Sequence, residues 1–244
     1  MTSNPGIFLV NSKIYLYDKC MPQRKIIIST GEIYHVFNRG VARMPIFSAN
    51  NDFLRFLDVV DYCRFTNTPF SFSHFKKLPA EQKAEIMLGL QKEKNLHVEI
   101  LAFCLMDNHY HFLVKQMAEK GITTWMSNVQ NGYAKYYNSK NQRTGPLFQP
   151  RFQAVRIETD EQLLHVSRYI HLNPSTGYLT TIEALGQYPW SSLPYYLGLP
   201  YKYIFISSEE ILKLSNGKKN YREFVFNQAE YQRELAKIKH LTFE

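Results

Sequence analysis

The sequence predicts an α+β domain, on three observations. Two strand-like runs, Val98 to Leu105 and His109 to Val114, are separated only by Met106, Asp107 and Asn108, the composition of a hairpin turn. Further strand-like runs lie at Glu32 to Phe37 and Phe152 to Ile157. Between and after these runs, apolar residues recur at helical spacing.

The first strand runs into a loop at Asn38, Arg39 and Gly40. From Asn51, Phe53, Leu57, Val60 and Cys63 recur as one face of a helix that should pack on a sheet. The Ser- and Phe-rich stretch from Thr66 to Lys77 reads as a loop, and Pro79 to Gln91 as a shorter helix. Strand alternation in the second arm of the hairpin puts His109, His111 and Leu113 on one face and Tyr110, Phe112 and Val114 on the other. Gly121 to Asn138 predicts a helix carrying Trp125, Met126, Val129 and Tyr133, and a turn at Gly145 and Pro146 precedes the last strand. The next helix has clear punctuation: Thr159 caps it, Gln162 stands where a capping box wants an amide, Asp160 and Glu161 suit its positive start, and Pro174 ends it. Beyond Trp190 the chain is aromatic and irregular, then resumes helical patterns at Ser208 to Leu214 and Tyr221 to Leu241. Residues 1–30 therefore read as an N-terminal extension, 31–197 as the main domain and 198–244 as a C-terminal helical appendage.

The 244 residues carry a formal charge of +8, which favours a polyanionic partner because Lys and Arg release counterions condensed on phosphates. An aromatic content of 15% suits base stacking as well as a core. Cys20, Cys63 and Cys104 are odd in number and far apart, so they frame neither a disulfide scaffold nor a Cys-based zinc site, and a reducing cytoplasm fits. No apolar run approaches a bilayer span and no secretory leader is expected, so no membrane partner is expected either.

Three features carry chemistry. His109 and His111, at i and i+2 on a strand, point the same way and can share one metal ion through neutral imidazoles. Tyr169 and Asn173 are four apart on a helix, with His165 one turn earlier on the same face. Tyr169 can supply an attacking phenolic oxygen and Asn173 a carbonyl oxygen as third ligand; the alternative is a buried, hydrogen-bonded Tyr. From Lys120 to Ile157 there are Lys120, Lys135, Lys140, Arg143, Arg151 and Arg156 but no Asp or Glu. With Tyr133, Tyr136, Tyr137, Phe148 and Phe152 interleaved, this span fits a groove that tracks phosphates and stacks bases better than a merely solvated face.

Taken together, the runs Asn108 to Val114, Gly145 to Phe152, Arg168 to Pro174 and Tyr188 to Ser192 resemble those of the REP-associated tyrosine transposases, which are single-tyrosine HUH transposases. Tyr34 to Gly40 and Tyr221 to Val225 extend the resemblance over nearly everything after Met21. Asp107 departs from it, standing where many relatives have Pro. The resemblance implies a ferredoxin-like antiparallel sheet flanked by helices, the HUH nuclease core, as the catalytic domain at 31–197. It implies metal ligation by His109 and His111, with Asn173 in the metal-proximal amide position, and Tyr169 as nucleophile. The implied cofactor is Mg2+ or Mn2+, and the implied substrate is single-stranded DNA folded into a hairpin. Arg39, Lys135, Lys140, Arg143, Arg151 and Arg156 are the expected DNA contacts, in a cytoplasmic, nucleoid-associated protein, with monomer and homodimer both open.

The chemistry follows from the difficulty of the bond. A phosphodiester is anionic and a phenol, with pKa about 10, is protonated at neutral pH, so a cation helps on both counts. A 5′-phosphotyrosine conserves the bond energy for rejoining, and no nucleotide cofactor is implied. The rival readings are a domesticated hairpin-binding protein that no longer cuts, a replication initiator or relaxase, and a metal-dependent hydrolase that uses water.

Overall fold

The computed structural model describes residues 27–227 and, of the rest, only a hairpin of β1 (Ile7–Val10) and β2 (Lys13–Leu16). Most of the expected N-terminal extension, Cys20, and the part of the expected last helix beyond residue 227 lie outside the described residues.

Both runs flanking Asp107 and Asn108 form strands, β4 (Val98–Met106) and β5 (His109–Gln116), joined as a hairpin. The turn is pinned from outside: the Asp107 carbonyl accepts hydrogen bonds from the backbone N–H groups of Ile46 and Phe47 at 2.8 and 3.0 Å. β3 (Ile33–Arg39) pairs with β5 on one side and with β6 (Gln153–Ile157) on the other, so the sheet runs β4-β5-β3-β6 with every neighbour antiparallel. Helices separate β3 from β4 and β5 from β6, which makes the chain order and sheet order those of a ferredoxin-like fold.

The alternation along β5 divides the two faces. Phe112 lies 5.2 Å from Trp125 of α4 (Gly121–Lys140) and 6.3 Å from Phe56 of α1 (Asn50–Cys63), ring centre to ring centre, and Tyr110 lies 5.2 Å from Phe56. This aromatic face is buried, and taking it out of water favours the fold. The opposite face receives α5 (Asp160–Thr176). At its start the Thr159 hydroxyl accepts from the Gln162 N–H at 3.1 Å, as expected of a cap. Gln162 in turn accepts from the N–H of Glu158 at 2.8 Å, one residue earlier than in a standard capping box.

Two expectations need correction. The stretch read as a loop from Thr66 to Lys77 ends in a helix, α2 (Phe72–Lys77), ahead of α3 (Ala80–Glu93). Ser71 caps α2, and Phe72 and Phe75 bury their rings 5.5 and 4.4 Å from Tyr62, so packing overrides the loop-like composition. Pro174 does not end α5, which runs on to Thr176. One missing donor in a last turn is a small loss there, and the chain then closes through Gly177 N–H to Asn173 C=O at 2.8 Å and Leu179 N–H to Pro174 C=O at 2.9 Å.

Beyond residue 197 the chain packs into the same core rather than beside it. Ile211 of α7 (Glu209–Leu214) and Tyr221 and Val225 of α8 (Lys218–Phe226) are fully buried. The Tyr221 hydroxyl bonds His171 Nδ1 at 2.7 Å and Ser167 Oγ at 2.9 Å, both on α5. Residues just before α6 (Leu193–Tyr196) pair along the outer edge of β4, through Leu105 N–H to Trp190 C=O and Ser192 N–H to Phe103 C=O. Ser207 N–H continues the cover at Ile100 C=O, so this edge presents no free template for another strand. Among the described residues no helix is long and apolar enough to cross a membrane.

Candidate active site

Residues paired across an antiparallel ladder share a face. The register sets Arg39 opposite His109, Phe37 opposite His111 and His35 opposite Leu113. One face of the sheet therefore carries His109 and His111, their rings 5.1 Å apart and nearly perpendicular, with His35, Phe37 and Arg39 beside them. Tyr169 comes down on this face from α5. Its ring is edge-on to His111 at 5.6 Å and to His35 at 5.9 Å. Asn173, one turn further along, is buried and its Nδ2 donates to the Tyr169 carbonyl at 2.8 Å, leaving its Oδ1 oxygen uncommitted by that bond.

Each histidine of the pair is held through Nδ1. His109 Nδ1 is 2.6 Å from Asn108 Oδ1, and His111 Nδ1 is 2.9 Å from His35 Nε2. Burial pushes His109 down to about 4, helped by the nearby Arg39 guanidinium, and pushes His35 down to about 3. His111 is driven well below its ordinary value by burial and then by His35, His109 and Arg39. All three rings are therefore neutral at pH 7, as an imidazole ligand must be. Among the described residues no three His, Cys, Asp or Glu side chains converge as a complete ligand set. Imidazole generally suits zinc, copper, iron or nickel and oxygen donors suit Mg2+ and Mn2+, so two imidazoles and one amide oxygen mix both preferences and leave coordination positions for phosphate oxygens.

These shifts have a measurable consequence. His171, also fully buried, is lowered to about 3 by burial. The folded protein keeps His35, His109 and His171 neutral, whereas the unfolded chain protonates them near pH 6.5. Stability is thus fully present above pH 6.5 and is lost as pH falls towards the folded values of 3 to 4. At about 1.4 kcal/mol per pH unit for each group, these three should remove roughly 6 kcal/mol by pH 5. Urea denaturation of the metal-free protein at pH 7 and pH 5 measures this, and an unchanged midpoint would contradict neutral burial of these rings.

The basic residues expected at DNA are dispersed. Arg39 is exposed and stands beside the histidine pair, while Lys135 and Arg151 are exposed elsewhere on the surface. Lys140 lies 2.6 Å from Asp52, a fully buried carboxylate that also accepts from Tyr136 and the Ser48 and Ala49 N–H groups. Its charge is committed to Asp52, because an unpaired buried carboxylate would be costly. Arg156 pairs with Glu32 at 2.8 Å on the surface, an exchangeable contact. Arg143 ties α4 to the following turn through Asn138 Oδ1 and the Pro146 carbonyl.

The aromatics interleaved with these charges do not form a stacking platform. Tyr133, Tyr137, Phe148 and Phe152 are buried in the core, and Tyr136 is half-buried against Asp52 and Arg55. Their spacing reflects the inward face of α4 and the turn beyond it, so the base-stacking part of that expectation is withdrawn. Two residues that the sequence reading left without a role, His35 and Asn108, contact the histidine pair directly. His35 was within reach of the same alternation argument, since it shares a face with Phe37 and Arg39.

Residues 73–173 match the protein-family model described as "Transposase IS200 like", a span that contains His109, His111, Tyr169 and Asn173. No curated protein matches the chain. Among solved structures, one described as "Structure of the REP associates tyrosine transposase bound to a REP hairpin" superposes with a TM-score of 0.48 at 12% identity, covering 78% of this chain and 93% of that one. Residues 73–173, which include β4, β5, α4, β6 and most of α5, are thus similar to the IS200-like transposases.

Proposed function

We propose that the protein is a metal-dependent transposase that cleaves and rejoins single-stranded DNA through a covalent bond to Tyr169. The observation that carries this reading is the convergence of Tyr169, from a helix, on His109 and His111, from a strand, with the neutral imidazoles facing it. His109, His111 and Asn173 would hold Mg2+ or Mn2+, which when bound supplies charge neutralisation at the scissile phosphate. Tyr169 Oη would attack phosphorus: the Oη–P bond forms as the P–O3′ bond breaks, the phenolic proton passes to solvent, and the leaving 3′ oxygen takes up a proton from solvent to become a hydroxyl. Asn173 bonds the Tyr169 backbone and so fixes the helix turn from which the nucleophile projects. Arg39, exposed across the ladder from His109, would take a phosphate oxygen, and the exposed Lys135 would offer further charge to the flanking strand.

The substrate class is the one the family resemblance implies: a single strand that carries a hairpin and exposes an unpaired backbone to the tyrosine. A labelled hairpin-bearing strand incubated with protein and Mn2+ should yield an adduct that survives denaturation, and a plain duplex of the same length should yield little or none. Equal adduct from the two substrates would remove the single-strand requirement. Binding with no adduct under any metal would leave a hairpin-binding protein that does not cut.

A further inference from the structure

The hydrogen bonds behind the histidine pair decide which ring nitrogen each presents. Asn108 Nδ2 lies 3.0 Å from the Arg43 carbonyl, which can only accept, so the orientation of this amide is set and its Oδ1 faces His109. Oδ1 can also only accept. His109 must therefore carry its proton on Nδ1, leaving the lone pair on Nε2.

For His111 the partner is another ring, and two arrangements satisfy the 2.9 Å contact between His111 Nδ1 and His35 Nε2. If His35 donates, the proton of His111 sits on Nε2 and that nitrogen cannot bind a cation. If His111 donates, its Nε2 is free. His35 is itself fixed in place, buried on β3, nearly coplanar with His111 with ring centres 5.1 Å apart at 21°, and flanked by Phe37 at 4.9 Å and Tyr169 at 5.9 Å.

We propose that His35 is a positioning residue for the metal site: its Nε2 accepts the Nδ1 proton of His111 and so holds His111 in the one tautomer that can ligate, matching what Asn108 does for His109. This rests on the metal reading given under Proposed function. A partner on the far nitrogen of a ligating imidazole fixes ring orientation and raises basicity, and its removal lowers metal affinity by about 10- to 100-fold.

The test is Mn2+ affinity, read from the free Mn2+ EPR signal with no DNA present, for wild type, His35→Leu, His35→Gln and His109→Ala. His35→Leu removes the acceptor and should weaken Mn2+ by about 10- to 100-fold, whereas the Gln oxygen should restore most of the affinity. A ring that served packing alone would give the same Mn2+ affinity in all folded His35 variants. Wild-type Mn2+ affinity in His35→Leu, with His109→Ala impaired, would overturn the role of His35 and leave the metal site standing. Unchanged affinity in His109→Ala as well would overturn the metal site itself. Should His35→Leu fail to fold, imidazole 15N shifts of the metal-free wild type decide: a His111 proton on Nδ1 supports the proposal and one on Nε2 refutes it.

Discussion

Tyr169→Phe is expected to abolish strand cleavage, by at least about a thousandfold, while leaving hairpin binding within about threefold of wild type. The substitution removes one oxygen and keeps the ring, so its packing against His35 and His111 should survive. A loss of binding parallel to the loss of cleavage would mean that Tyr169 holds DNA rather than attacks it. The adduct peptide from wild type should contain Tyr169. The tyrosines of α4 are poor substitutes, because they lie on the other side of the sheet with their hydroxyls committed. Tyr133 donates to the Ile46 carbonyl, Tyr137 to the Pro45 carbonyl at 3.1 Å and Tyr136 to Asp52 at 3.1 Å. Tyr178, half exposed just past the end of α5, is the nearest competitor on the chain. An adduct that persists in Tyr169→Phe and maps to Tyr178 would move the nucleophile beyond the helix.

The parts of this site that were legible in the sequence are those with short-range periodicity. The i and i+2 spacing of His109 and His111 and the i and i+4 spacing of Tyr169 and Asn173 set their faces as soon as strand and helix are assigned. The sheet order was not available from periodicity, because the pairing of β3 between β5 and β6 joins residues far apart in the chain, such as Arg39 with His109 and Phe37 with Gln153; the ferredoxin-like arrangement came from the family resemblance. The same holds for His35, which lies in a strand the sequence predicts but acquires a partner only through the register with β5. The basic span shows the opposite failure. Absence of acids within it said nothing about an acid elsewhere, and Asp52 of α1 claims both Lys140 and Tyr136. The appendage boundary at residue 197 followed a change in composition, yet Tyr221 closes a buried polar network on α5 that composition could not reveal. Long-range polar pairing is the common element in these cases.

His109→Ala is expected to match chelation: both should lower cleavage by about a thousandfold or more with little effect on hairpin affinity. A metal held by His109 and His111, as proposed, would neutralise charge that develops as the phosphodiester is attacked, a contribution of several kcal/mol made in the transition state rather than in binding. Affinity should come instead from Lys and Arg contacts to phosphates spread along the strand, of which Arg39 is the one nearest the histidines. Binding should accordingly fall steeply with added salt at a slope that neither EDTA nor the His109→Ala change alters. The substitution should also be tolerated structurally, because His109 sits at the start of β5 and is only partly buried, and its Nδ1 bond goes to its own neighbour Asn108. Removing it leaves Asn108 still anchored on the Arg43 carbonyl and on the Gly40 N–H. Cleavage by His109→Ala at the wild-type rate in Mn2+ would show that the imidazole pair is structural. Cleavage undiminished in EDTA, with bound metal measured and absent, would show that Tyr169 is activated by protein groups alone, with the Arg39 guanidinium then the cation closest to the reacting phosphate.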